Sequence, residues 1–135
     1  MTSVIRAGEY VADTVAVVLW LEQRRMGVQA QRIFSAAEAG QLIVHIPALA
    51  LAEILYLSEK QRIKLTLQDV AALMQRSPHF QEHSMNRNVI EAAAAITDVP
   101  ELHDRLIAAT ARLLNVSLVT NDAVIQRSSF VTTVW

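Results

Sequence analysis

Short apolar runs alternate along this chain with longer stretches of helical period, and few folds accommodate that order. Tyr10–Ala12, Leu42–Ile46, Phe80–Met85, Ser117–Thr120 and Phe130–Val134 read as strands, short and mostly rich in β-branched or aromatic residues. Phe80–Met85 is the most polar of them. Between them lie segments whose apolar residues recur at helical spacing. Thr14–Arg25 is followed by Gly27 as its stop, and Gln29–Ala39 by Gly40. Pro47 opens a helix over Ala48–Lys60. Thr66 caps the next, TLQDVAALMQR, with Asp69 closing a capping box and Ser77–Pro78 ending it. Asn88–Ile96 and the stretch from Pro100 to Leu114 supply two more. Strands interleaved with helices predict an α/β fold whose parallel sheet is covered on both faces.

At 135 residues without a repeat, linker or low-complexity tract, the chain is expected to form a single domain over 1–135. It has no cysteine, which leaves no disulfide framework and no thiolate metal site. No run approaches the ~18 uninterrupted apolar residues of a membrane span, because Asp13 and Glu53 interrupt the longest candidates. No signal pattern opens the sequence, so a cytoplasmic protein with no membrane association is expected. The net charge of −1 carries no basic footprint for nucleic acid. Arg24, Arg25, Arg32, Lys60, Arg62 and Lys64 do form two local groups. They permit phosphate contact, and they equally suit solvated helix ends.

Four acids stand where a solvated face does not require them. Asp13 ends the first strand, and it either caps the next helix or serves a ligand at the strand's carboxyl end. Glu53 sits inside ALALAEILYL, where an ionised side chain needs an arginine partner or a metal. Asp104 lies in the first turn of its helix, where it either complements the helix dipole or is aimed at the strand ends. The small residues Ala108 and Ala111 let that helix lie close to the sheet. Asp122 follows the strand Ser117–Thr120 as a turn residue or a ligand. Carboxylates gathered at one rim raise each other's pKa. A hard cation such as Mg²⁺ or Mn²⁺ relieves that repulsion.

The pieces VADT at Val11–Thr14, ALALAEILY at Ala48–Tyr56, HDRLIAATARLL at His103–Leu114 and LVTND at Leu118–Asp122 resemble the PIN domain in order and separation. The likeness extends over essentially the whole chain, and it is strongest to the small bacterial VapC-like toxins. It implies a three-layer α/β/α sandwich with a central parallel sheet. It also implies a metal-dependent ribonuclease that uses Mg²⁺ or Mn²⁺ and leaves a 5′-phosphate and a 3′-hydroxyl. The family's acidic residues fall on Asp13, Glu53, Asp104 and Asp122, as catalytic residues and metal ligands, with supporting hydroxyls at Thr14 and Thr120. Arg105 is a candidate RNA contact. The resemblance further implies an RNA substrate, a small antitoxin and a homodimer. Val15 departs from the pattern, since the family usually has a small polar residue or histidine there, and its absence removes a hydrogen bond near the metal.

Other chemistries fit less of the sequence. His79 and His83 have the i, i+4 spacing of a zinc pair, but Pro78 disfavours a helix there and no third soft ligand is near. A haloacid-type phosphatase needs a second Asp two residues after the first, where this chain has Val15. A non-catalytic PIN-like module binding RNA or protein remains the alternative to the nuclease. For an antitoxin, the faces of the first and fourth helices, with Trp20 or Leu73, offer a groove unless those side chains pack in the core.

Overall fold

The computed structural model describes residues 5–135. Among them, five strands form one sheet in the order β3-β2-β1-β4-β5. The strands are β1 (Glu9–Ala12), β2 (Ile43–Pro47), β3 (Phe80–His83), β4 (Ser117–Val119) and β5 (Thr133–Val134). Every pairing is parallel. The polar run starting at Phe80 is thus a strand, held at one edge, where exposed Gln81 and Glu82 need no cover. FVTTV pairs only over its last two residues. Phe130 and Val131 pack onto the core instead, and the Phe130 carbonyl accepts a hydrogen bond from Arg112 at 2.9 Å.

Side chains alternate across a strand, and here each face has its own core. Ala12, Val44, Ile46, Phe80 and Val119 join the first. The helices covering it are α1 (Thr14–Leu21), α2 (Val28–Glu38), α3 (Ala48–Glu59) and α4 (Leu67–Arg76). Val11 and Leu118 point the other way, against α5 (Arg87–Ala94) and α6 (Leu102–Leu114). The result is the expected three-layer α/β/α sandwich. In the first core the rings of Trp20, Phe34 and Phe80 follow one another at 5.6 Å between centroids. Leu73 is fully buried there and serves packing, whereas Trp20 is half-buried and also lines a surface hollow with Leu21 and Arg76.

Helix ends account for most differences from expectation. The first helix stops at Leu21 rather than near Arg25, because Gln23 adopts a left-handed conformation with φ 56°. Gly27 is therefore not its stop but the N-cap of α2, in extended conformation. The reason is a close approach: Gln29 and Ala30 donate their main-chain N–H groups to the Trp135 main-chain oxygen at 3.0 and 3.1 Å. A Cβ at Gly27 would lie 2.4 Å from that oxygen. Gly40, with φ 73°, does end α2. The capping box stands as read, with Thr66 N donating to Asp69 at 2.8 Å. A short helix, α7 (Ala123–Gln126), follows β4 and was not expected.

Gly27→Ala is expected to lower stability by ~1–3 kcal/mol through overpacking against the Trp135 backbone. Thermal unfolding followed by far-UV circular dichroism checks this, and an unchanged midpoint would contradict it.

Candidate active site

In an open parallel sheet, ligands bind beyond the carboxyl ends of the strands where the strand order reverses. Here the reversal lies between β1, whose successor β2 is on one side, and β4 on the other. Asp13 is the residue after β1, and Thr120 and Asp122 lie just past β4. Asp13 is nearly fully buried. It caps α1, with Oδ1 accepting from Ala16 N at 2.8 Å, and its main-chain N–H donates to Val119 O at 3.1 Å. The Thr120 hydroxyl, itself buried, donates to the Asp13 carboxylate and accepts from Asp122 N at 3.0 Å. Asp122 in turn caps α7, accepting from Ile125 N at 2.9 Å. Both acids therefore cap helices, and the Thr120 hydroxyl links the Asp13 carboxylate to the Asp122 backbone.

The other two acids arrive on helices. Asp104 is the third residue of α6, whose fully buried Ala108 and Ala111 seat the helix closely. The N-cap is Glu101, which accepts from Asp104 N at 2.7 Å. Glu53 is half-buried within α3, and its Oε1 accepts from the Thr14 hydroxyl at 2.7 Å. No arginine neutralises it among the ion pairs of the described residues. Thr14 directly follows Asp13, so one hydroxyl ties Glu53 to the end of β1.

Electrostatics link all four. Burial, aided by the charges of Asp122 and Asp104, pushes the Asp13 carboxyl up to about 6, against the hydrogen bonds from Thr120 and Ala16. Burial and the charges of Asp122, Glu101 and Glu53 push Asp104 up to about 6 as well. Among the described residues no three His, Asp or Glu side chains stand close enough to close around one ion. The donor set still fits a hard cation. It is made of oxygens with excess negative charge, and Mg²⁺ is usually held through one or two carboxylates while keeping several waters.

With this geometry in view, a family model for the PIN domain matches residues 10–131. The chain belongs to the PIN domain family. Solved structures share its fold. VapBC2 from Rickettsia felis, bound to a DNA fragment from its promoter, superposes with a TM-score of 0.69 at 18% identity, over 94% of this chain and 98% of that one. DNA-bound VapBC from Salmonella typhimurium gives 0.66 at 15%, over 93% and 96%. A toxin–antitoxin complex from Klebsiella pneumoniae gives 0.64 at 20%, over 92% and 96%. No curated protein sequence matches.

Around the PIN-domain acids, Val15 points its side chain to solvent from the first turn of α1. Arg105 is half-buried, donating to the Pro100 carbonyl at 3.3 Å, while its Nε has no hydrogen-bond partner among the described residues. His79 is held by Leu42 O at 3.0 Å and precedes β3, whose last residue is His83, so the pair has neither the helix nor the third ligand that zinc requires. Asp98, an acid just before α6 that offers an alternative cap, is engaged elsewhere, its carboxylate accepting from Ser128 and Ser129. Glu101, the other acid beside the start of that helix, is the one that caps it, through the main-chain N–H of Asp104.

A carboxyl that binds its proton more tightly folded than unfolded makes stability rise as pH falls. Asp13 and Asp104 stand near 6 folded and at an ordinary 3.8 unfolded, so the gain begins near pH 6 and is complete near 4. Glu9, Glu22, Asp98 and Glu101 lie below their ordinary values and stay ionised from pH 7.5 to 5. In EDTA, the unfolding free energy is expected to be ~1–3 kcal/mol larger at pH 5 than at pH 7.5. Asp13→Asn keeps the cap and should stabilise the ion-free chain at pH 7.5 while removing much of that slope. Urea titrations of both proteins at the two pH values check this.

Proposed function

We propose that this PIN domain is a divalent-metal-dependent ribonuclease, and that it is the toxin of a toxin–antitoxin pair held in check by a small antitoxin. The observation that carries the catalytic part is the electrostatic coupling of Asp13, Asp104, Asp122 and Glu53 at the switch point of the sheet. Family membership and the likeness in fold to the VapBC structures and the Klebsiella pneumoniae toxin–antitoxin complex support the toxin part. A homodimer is part of the same reading.

Asp13, Asp104 and Asp122 are the residues that would hold Mg²⁺ or Mn²⁺. Such an ion, when bound, lowers the pKa of water and offsets the charge that builds on the phosphoryl oxygens. The chain's own share is placement. Thr120 fixes Asp13 and the Asp122 backbone together. Thr14 fixes Glu53 through Oε1, which leaves Oε2 to accept a hydrogen bond from the attacking water. Water adds to phosphorus in line, the bond from phosphorus to the 3′ oxygen breaks, and the products carry a 5′-phosphate and a 3′-hydroxyl. Arg105 stands beside Asp104 as a contact for the RNA backbone.

A non-catalytic binding module is the second reading, favoured by the spread of the carboxylates and by Val15. The two part on one assay. Cleavage of single-stranded RNA is expected with Mn²⁺ or Mg²⁺ and to vanish in EDTA. Asp13→Asn and Asp104→Asn should each lower it at least ~100-fold, the scale of removing a charge-stabilising group. Because both acids must be ionised to bind a cation, the Mn²⁺ concentration needed for half-maximal activity should rise as pH falls below about 6. RNA binding that survives Asp13→Asn, with no cleavage by the parent protein, would favour the module.

A further inference from the structure

We infer that an apolar hollow beside the acids is a nucleobase subsite, in which Tyr56 stacks the base flanking the scissile phosphate. The inference rests on the nuclease reading for its location, though not for its test. The hollow has a volume of about 440 Å³ and is lined by Leu49, Ala52, Glu53, Tyr56, Leu57 and His103. Glu53 belongs to the acid site, and His103 immediately precedes Asp104, so the hollow opens directly from that site. The five residues from α3 recur at helical spacing and share one face.

Three observations point to a nucleotide. Tyr56 is 52% exposed in a protein whose other large aromatic side chains are mostly packed away, and Leu102 beside His103 is 55% exposed. Lys60 lies one turn beyond Tyr56, with Nζ 5.6 Å from the ring centroid. Glu53, Tyr56 and Lys60 thus form a ridge along α3, about 10 Å from first to last by helix rise. It offers an acid site for the phosphate that is cut, an aromatic face for the next base and a cation for the next phosphate. Aromatic rings interleaved with positive charge are how single strands are held without sequence readout. The charge pattern also answers a difficulty of the site itself, whose carboxylates repel the backbone they must approach. Binding affinity has to come from outside them, and the hollow, which shares Glu53 with the site, adds an aromatic contact to the charge that Arg105 offers.

The test is fluorescence anisotropy with a fluorescein-labelled single-stranded RNA octamer, in Ca²⁺, alongside cleavage in Mn²⁺. An abasic residue is walked along the octamer for the parent protein, Tyr56→Ala and Tyr56→Phe. Stacking is worth about a 10-fold change in affinity per base. The parent should lose about 10-fold at one position of the walk. Tyr56→Ala should bind about 10-fold more weakly and be indifferent to the abasic position, and Tyr56→Phe should stay within about threefold of the parent. In cleavage, Tyr56→Ala should raise KM more than it lowers kcat. Parent protein that binds base-dependently yet cuts nothing would sustain the subsite and remove the nuclease reading. Equal binding by Tyr56→Ala, or no RNA binding by the parent, overturns the subsite. So does a flat abasic series with Tyr56→Ala turning a dimer into a monomer in sedimentation, which would give the face to a second copy of the chain.

Discussion

Like charges held together against their repulsion set the terms for this protein. A carboxylate close to other carboxylates, and largely removed from water, is stable only when something fixes it there. Helix starts do that work. Asp13 and Asp122 each accept the main-chain N–H of a residue three positions on, and Asp104 sits in a first turn, where the helix dipole favours an anion. The Thr120 hydroxyl joins two of these starts, and the Thr14 hydroxyl draws in Glu53 from the middle of a third helix. Capping and electrostatic coupling are not competing uses of the same acid. The cap is what holds the charge in place.

The sheet explains why those helix starts converge. With every strand parallel, all helices that follow a strand begin at the same rim. The strand order reverses between β1 and β4, and the helices after these two strands lead away to opposite sides. The gap they leave is where Asp13 and Asp122 stand. Alternation within the strands builds a core on each face, Val11 and Leu118 toward one and Ala12 and Val119 toward the other.

Much of this was legible in the residues. Four of the five strand runs had the right place and nearly the right length, and the alternation announced a parallel sheet. The four acids were singled out because each broke a local pattern. What escaped reading was long-range. That Gly27 caps α2 rather than stopping α1 follows from the Trp135 backbone more than a hundred residues away, which no local signal encodes. The end of α1 at Leu21 depends on Gln23 in a left-handed turn, a conformation that sequence assigns more readily to glycine. FVTTV looked like one strand because its β propensity is uniform, whereas the contacts of Phe130 with α6 decide where pairing begins. Tyr56 passed unnoticed because an aromatic on an apolar helix usually faces inward.

The position of β4 has a consequence for synthesis. It is the fourth strand to be made but lies next to the first, and its far end carries Thr120 and Asp122. A nascent chain still tethered to the ribosome before that strand emerges holds Asp13 and Glu53 without the partners that complete the rim. Pairing of β4 with β1 is then the event that brings Thr120 and Asp122 to Asp13 and completes the rim.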